Sequence, residues 1–163
     1  MESSSISPIE QTPAEVHRRV TQFVEDLKEA ERIYGGLIEL VEKQDLALQS
    51  GDTAELVEIA SLKEDQISRL DLVETRMSQT RKIWDTIQSS LSDNEKRFVQ
   101  DAVSRVEKIL RVLLELEEKQ RQAILSQKEE ALENIRRIEA GKKVSRAYNL
   151  PGPEVRGLLD QTE

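Results

Sequence analysis

The sequence predicts an all-α fold, an elongated antiparallel three-helix bundle or coiled coil with a long overhanging third helix and a partly ordered C-terminal tail. Three observations carry that expectation. Val16, Val20, Phe23, Leu27, Ala30, Tyr34, Leu37 and Val41 recur at alternating steps of four and three, the seam of a coiled coil. The chain of 163 residues is 34% charged with only five aromatic side chains, a composition suited to slender helical packing. Helix starts and stops also recur where one domain of three long helices needs them.

Residues 1–12 read as a disordered lead-in, because serines and Pro8 offer nothing to bury. Thr12 is a plausible N-cap ahead of Pro13, with Glu15 completing a capping box, so the first helix runs from about residue 13 to 49. Ser50 and Gly51 supply the stop, and Asp52 with Glu55 caps a second helix over 52–91. So short a connection folds the two helices back antiparallel.

The second helix carries Leu56, Ile59, Ile67, Leu70, Val73, Met77, Trp84, Ile87 and Leu91 as its seam, interrupted by Lys63 and Gln66. Ser92 to Glu95 is the clearest capping box and opens a third helix over 93–140, of which about ten residues should overhang. Its seam of Val99, Ala102, Val106, Ile109, Leu113 and Leu116 meets Gln120. Ile124, Leu125, Ala131, Leu132, Ile135 and Ile138 then continue in a drifted register, which suggests a second partner surface. The bundle is assigned to residues 13–141 and a flexible partner-binding tail to 142–163, where Pro151, Gly152 and Pro153 forbid a continuous helix but Tyr148, Leu150, Val155, Leu158 and Leu159 stay apolar.

Charge and chemistry narrow the function. A net charge of -8 opposes general nucleic-acid binding. A polar, acidic N-terminus and the lack of a long apolar run predict a cytoplasmic protein with no direct membrane insertion. There is no cysteine and a single histidine, His17, so no triad, thiolate zinc site or histidine cluster assembles within one chain. Neighbouring carboxylates such as Glu117 and Glu118, or Glu129 and Glu130, diverge by about 100° on a helix and do not make an acid–base pair. No enzyme, cofactor or metal is expected.

Gly35 and Gly36 interrupt a helical pattern and read either as a close helix crossing or as a flex point. Trp84 reads as core at the far end of the hairpin, with an exposed interface anchor as the alternative. The stretch from Ile124 to Ile138 reads equally as an internal or homodimer seam and as a face for a foreign amphipathic helix. Arg136, Arg137, Lys142, Lys143 and Arg146 form a basic cluster against Glu139 that complements a helix C-terminus or docks an acidic partner.

As a whole the chain resembles the FlgN family of flagellar type III export chaperones. The resemblance rests on LIELVEKQDLALQSGDTAELVEIASLKEDQISRLDLVETRM, residues 37–77, a charged hairpin with a Gly-Asp turn, and on a long third helix finishing in GKKVSRAY. It implies a helical chaperone that binds the amphipathic terminal helix of hook-associated proteins, prevents their premature assembly and delivers them to the cytoplasmic domain of the membrane export gate. By position it places cargo on Ile124, Leu125, Ala131, Leu132, Ile135 and Ile138, and the gate contact on Tyr148. The Pro-Gly-Pro segment beyond Tyr148 departs from the family's ending. The rival reading is a coiled-coil scaffold or regulatory adaptor that self-associates through the third helix.

Overall fold

The computed structural model describes residues 12–147, and every regular element among them is α-helical. They are α1 (Pro13–Ser50), α2 (Thr53–Lys82), the five-residue α3 (Trp84–Gln88) and α4 (Asp93–Ala147). The predicted all-α bundle is the fold observed. The chain divides after Glu117 into two compact units, so the unit boundary falls inside α4 and not near Gly141.

Local signals place the ends of the helices. Thr12 sits in extended backbone and its Oγ1 accepts the Glu15 amide at 3.3 Å, while Pro13 fills a first-turn position that needs no donor. Gly51 adopts left-handed φ 71°, and the Asp52 amide reaches back to the Ala47 carbonyl at 3.0 Å, a Schellman closure open to glycine without strain. Asp52 turns the chain at once by accepting the Glu55 amide at 3.1 Å. At Ser92 the capping box is reciprocal: the Glu95 amide donates to Ser92 Oγ at 3.2 Å, and the Ser92 amide donates to Glu95 Oε1 at 3.3 Å.

Contacts between helices fix the topology of the first unit. Asp26 meets Arg76 and Gln44 meets Lys63, so α2 runs antiparallel to α1, and Trp84 of α3 continues in the same direction to meet Phe23. His17 faces Glu95, Glu31 faces Arg105 and Gly35 faces Ile109, so α4 runs parallel to α1 and completes an up-down-up bundle. All eight seam residues predicted on the first helix are buried, and Val24, Ile33, Leu40 and Ala47 widen that face so that α1 can pack on two neighbours.

Two expectations are corrected. The second helix is not continuous to residue 91. It ends at Lys82, where Ile83 takes φ -109° and ψ 9° and its amide turns back to Thr80, and α3 restarts at Trp84. The break re-aims the chain so that Ile87 and Leu91 are buried and the Trp84 ring lies 5.9 Å from that of Phe23. Ile67 is not a seam residue either: it is exposed, and the inward steps of three and four pass through Leu56, Ile59, Lys63, Gln66, Leu70, Val73 and Met77. Lys63 and Gln66 do occupy seam places, as their interruption of the apolar pattern indicates.

Those polar positions are satisfied. Lys63 Nζ donates to Gln44 Oε1 at 3.3 Å and to Glu117 Oε1 at 2.9 Å, joining all three long helices in one layer. Deeper in the bundle Asp26, buried to 3% exposure, accepts from Gln22 Nε2 and from Arg76 Nε, both at 3.1 Å. Burial, with the Glu74 carboxylate adding to it, raises the Tyr34 hydroxyl above its ordinary pKa, so the phenol stays neutral in the core.

Candidate functional site: an exposed apolar helix face

The described part of the second unit is a single helical stretch, residues 118–147 of α4. It continues through Gly141, where the sequence suggested a stop. Gly141 has no positive φ, and with no proline until Pro151 the cost of one interior glycine, about 1 kcal/mol, does not end the helix.

Ile124, Leu125, Leu132, Ile135 and Ile138 are all between 40% and 55% exposed, and Ala131 is exposed with them. They share one side of the helix: at 100° per residue Ile124, Ala131, Ile135 and Ile138 fall within about 60° of one another, with Leu132 and Leu125 along one edge. The six residues predicted as a binding face are therefore brought together. Their reading as core of this chain is not what is observed, since of the six seam residues earlier on α4, Val99, Ala102 and Leu113 are buried to 6% or less and Val106, Ile109 and Leu116 are half-buried. The drift in register has a simple origin. After Leu116 the seam steps to Gln120, Ile124 and Lys128 in successive fours, a four-residue stutter that turns a 3.5 repeat toward the straight-helix period.

The face is bordered by charge. Glu118 Oε1 accepts from Arg121 at 2.8 Å and from Gln122 at 3.0 Å, and these bonds, the Arg121 pair foremost, hold its carboxyl pKa down to about 2. Arg136 and Arg137 both approach Glu133, at 3.9 and 3.7 Å. Exposed pairs at this helical spacing are screened by water and favour the helix only slightly. Tyr148, the predicted gate residue, and the rest of the tail lie outside the described residues, as do residues 1–11 of the lead-in.

A second surface went unread in the sequence. Where α1 and α4 begin, His17, Val20, Val24, Lys28, Asn94 and Phe98 line a groove of about 440 Å³. Phe98 is 54% exposed, with the Lys28 ammonium 5.8 Å from its ring centroid. The only signal was an aromatic one position off the Val99 seam. His17 stands 3.7 Å from Glu95, whose carboxyl is held below the ordinary range, first by the Ser92 hydroxyl, then by the Ser92 amide, with His17 adding less.

Among the described residues no group of three acidic or histidine side chains converges as a metal site, and no helix is long and apolar enough to cross a membrane. No family model, curated protein or solved structure matches this chain.

Proposed function

We propose that this protein is a non-enzymatic flagellar type III secretion chaperone that binds the amphipathic terminal helix of hook-associated proteins, keeps them from assembling early and delivers them to the export gate. The observation that carries the reading is the exposed stripe from Ile124 to Ile138, six residues on one side of a helix that alone has no second layer to cover it. A cargo helix with apolar residues at matching spacing would cover that stripe while its own aggregation-prone side is masked. The family resemblance of residues 37–77 and of the ending GKKVSRAY supplies the identity of the cargo class. Tyr148 is proposed as the gate contact, and the cytoplasm as the place of work.

Calorimetric titration with peptides from the terminal helices of hook-associated proteins tests it, with sedimentation to fix the oligomeric state. Saturable binding that is lost in the double variant Ile135→Asp/Ile138→Asp supports the chaperone. Absence of binding together with a stable homodimer overturns it in favour of a self-associating scaffold. Tyr148→Ala should spare cargo binding and reduce export; unchanged secretion would remove Tyr148 from the gate contact.

A further inference from the structure

The stripe is not electrostatically neutral, and its charge opposes that of the chain. Residues 118–147 carry eight basic against five acidic side chains, whereas residues 1–117 carry fifteen against twenty-four. The basic residues are also not spread evenly around the helix. At 100° per residue Lys128, Lys142 and Arg146 fall within the same sector as Ile124, Ala131 and Ile135, and Arg136 and Lys143 lie beside Leu125 and Leu132. Glu139 shares that sector, Glu129 lies just beyond its edge, and Glu130 and Glu133 point from the far side. Arg121 lies in the stripe's sector but is neutralised by its bidentate bonds to Glu118 at 2.8 and 3.0 Å, and Arg136 is paired with Glu133 at 3.9 Å.

We infer that the occupant of this face is an acidic amphipathic helix, its apolar side on Ile124 to Ile138 and its carboxylates against Lys128, Lys143 and Arg146. The inference rests on the reading of the stripe as a partner-binding face and adds the chemistry of the partner. Complementary charge around an apolar centre governs encounter rate and partner choice more than total affinity, so the cations would select among helices that the aliphatic stripe alone would accept alike. A second copy of this chain is the wrong occupant on the same ground, because its stripe presents the same cations. An anionic membrane is disfavoured because the net charge of -8 repels such a surface, and because residues 118–147 hold no aromatic side chain to anchor at the headgroups.

The test uses the full chain and two synthetic helical peptides of about 24 residues that share leucines at heptad positions a and d. One has glutamates flanking the leucines, the other lysines. The acidic peptide should bind at least about tenfold more tightly than the basic one at about 50 mM salt, and should weaken several-fold at about 300 mM, where screening is short-ranged. Lys143→Glu/Arg146→Glu, both at exposed positions, should keep its helical circular dichroism and lose most of that preference. Equal affinities, tighter binding of the basic peptide, or no binding of either would overturn the inference. Tighter binding to phosphatidylserine vesicles than to the acidic peptide would overturn it in favour of a membrane surface. The two readings fail separately. Hook-associated peptides that bind without salt dependence would sink the acidic partner and leave the chaperone, whereas binding of the acidic peptide with hook-associated peptides silent would do the reverse.

Discussion

Replacing Arg76 by methionine should destabilise the bundle by about 2 kcal/mol, far more than loss of a surface ion pair. The Asp26 side chain is 4% exposed, and its Oδ1 accepts from Arg76 Nε and Gln22 Nε2, both at 3.1 Å. Stripping the cation from a fully buried pair costs about 3–5 kcal/mol, because the remaining charge has no compensation. Here Arg76 is 47% exposed and Gln22 stays in place, so water can reach part of the vacated position and the lower figure of about 2 applies. Asp26→Leu, by contrast, removes the desolvated charge and leaves Arg76 bound to Glu29 at 3.0 Å, and should fall within about 1 kcal/mol of the parent. The double variant Asp26→Leu/Arg76→Met should therefore recover most of what Arg76→Met loses. Urea unfolding followed by far-ultraviolet circular dichroism measures all four proteins of the cycle. A cost below about 0.5 kcal/mol for Arg76→Met, or a double variant as unstable as that single one, would refute the argument and reduce the pair to surface decoration.

Gly36→Ala should stabilise by about 1 kcal/mol, since a Cβ there meets nothing within 4 Å and an interior glycine weakens a helix; unchanged cargo affinity in that variant would dismiss the flex-point reading, and a loss would revive it. Ile135→Asp/Ile138→Asp should leave the thermal midpoint nearly unchanged because both residues are already more than half exposed, and a collapse on heating would mean that the face is core. Ser92→Ala should cost about 1 kcal/mol at the start of α4, read by urea unfolding, and should raise the Glu95 carboxyl pKa toward its ordinary value in a carbon-detected titration. Arg121→Ala should lift the Glu118 pKa from about 2 toward the usual carboxylate range. Since the depressed pKa belongs to the folded helix, the support that Glu118 lends is present above the ordinary value and is lost only as pH falls toward about 2.

The first helix was legible because its seam is apolar at every step and caps bound it on both sides, Thr12 with Pro13 and then Gly51. The second was legible in its start but not in its seam. Apolar spacing chose Ile67 over Gln66, while in the bundle Lys63 and Gln66 turn inward and Ile67 faces water. What decides that register is the Lys63 ammonium meeting Gln44 and Glu117, residues 19 and 54 positions away, which no local window contains. The break at Ile83 was invisible for a related reason: no glycine or proline marks it, and burying Ile87 and Leu91 while packing Trp84 against Phe23 is a tertiary requirement. Gly141 was the opposite error, a local stop signal that the surrounding helix formers outweigh. The apolar stripe was legible as a periodicity, yet periodicity is the same for a core seam and for a waiting interface. Exposure alone separates them.

How tightly should such a stripe hold its partner? Fully burying an aliphatic side chain contributes about 1.5–3 kcal/mol, and residues already 40–55% exposed have about half of that left to gain. Five large side chains then offer roughly 5 kcal/mol, and a partner helix with matching residues offers about as much again. Against this total of about 10 kcal/mol stands a loss of translational and rotational freedom of at least about 4 kcal/mol. The net of about 6 kcal/mol corresponds to a dissociation constant of tens of micromolar before electrostatics, and about 1–2 kcal/mol from the surrounding cations would bring it into the low micromolar range. Under the proposed chaperone role, a complex of that affinity would form at micromolar partner concentrations and still dissociate fast enough to be handed on without nucleotide hydrolysis. A measured affinity in the subnanomolar range would be too large for this face, and would require the cargo to reach a further surface such as the groove beside Phe98.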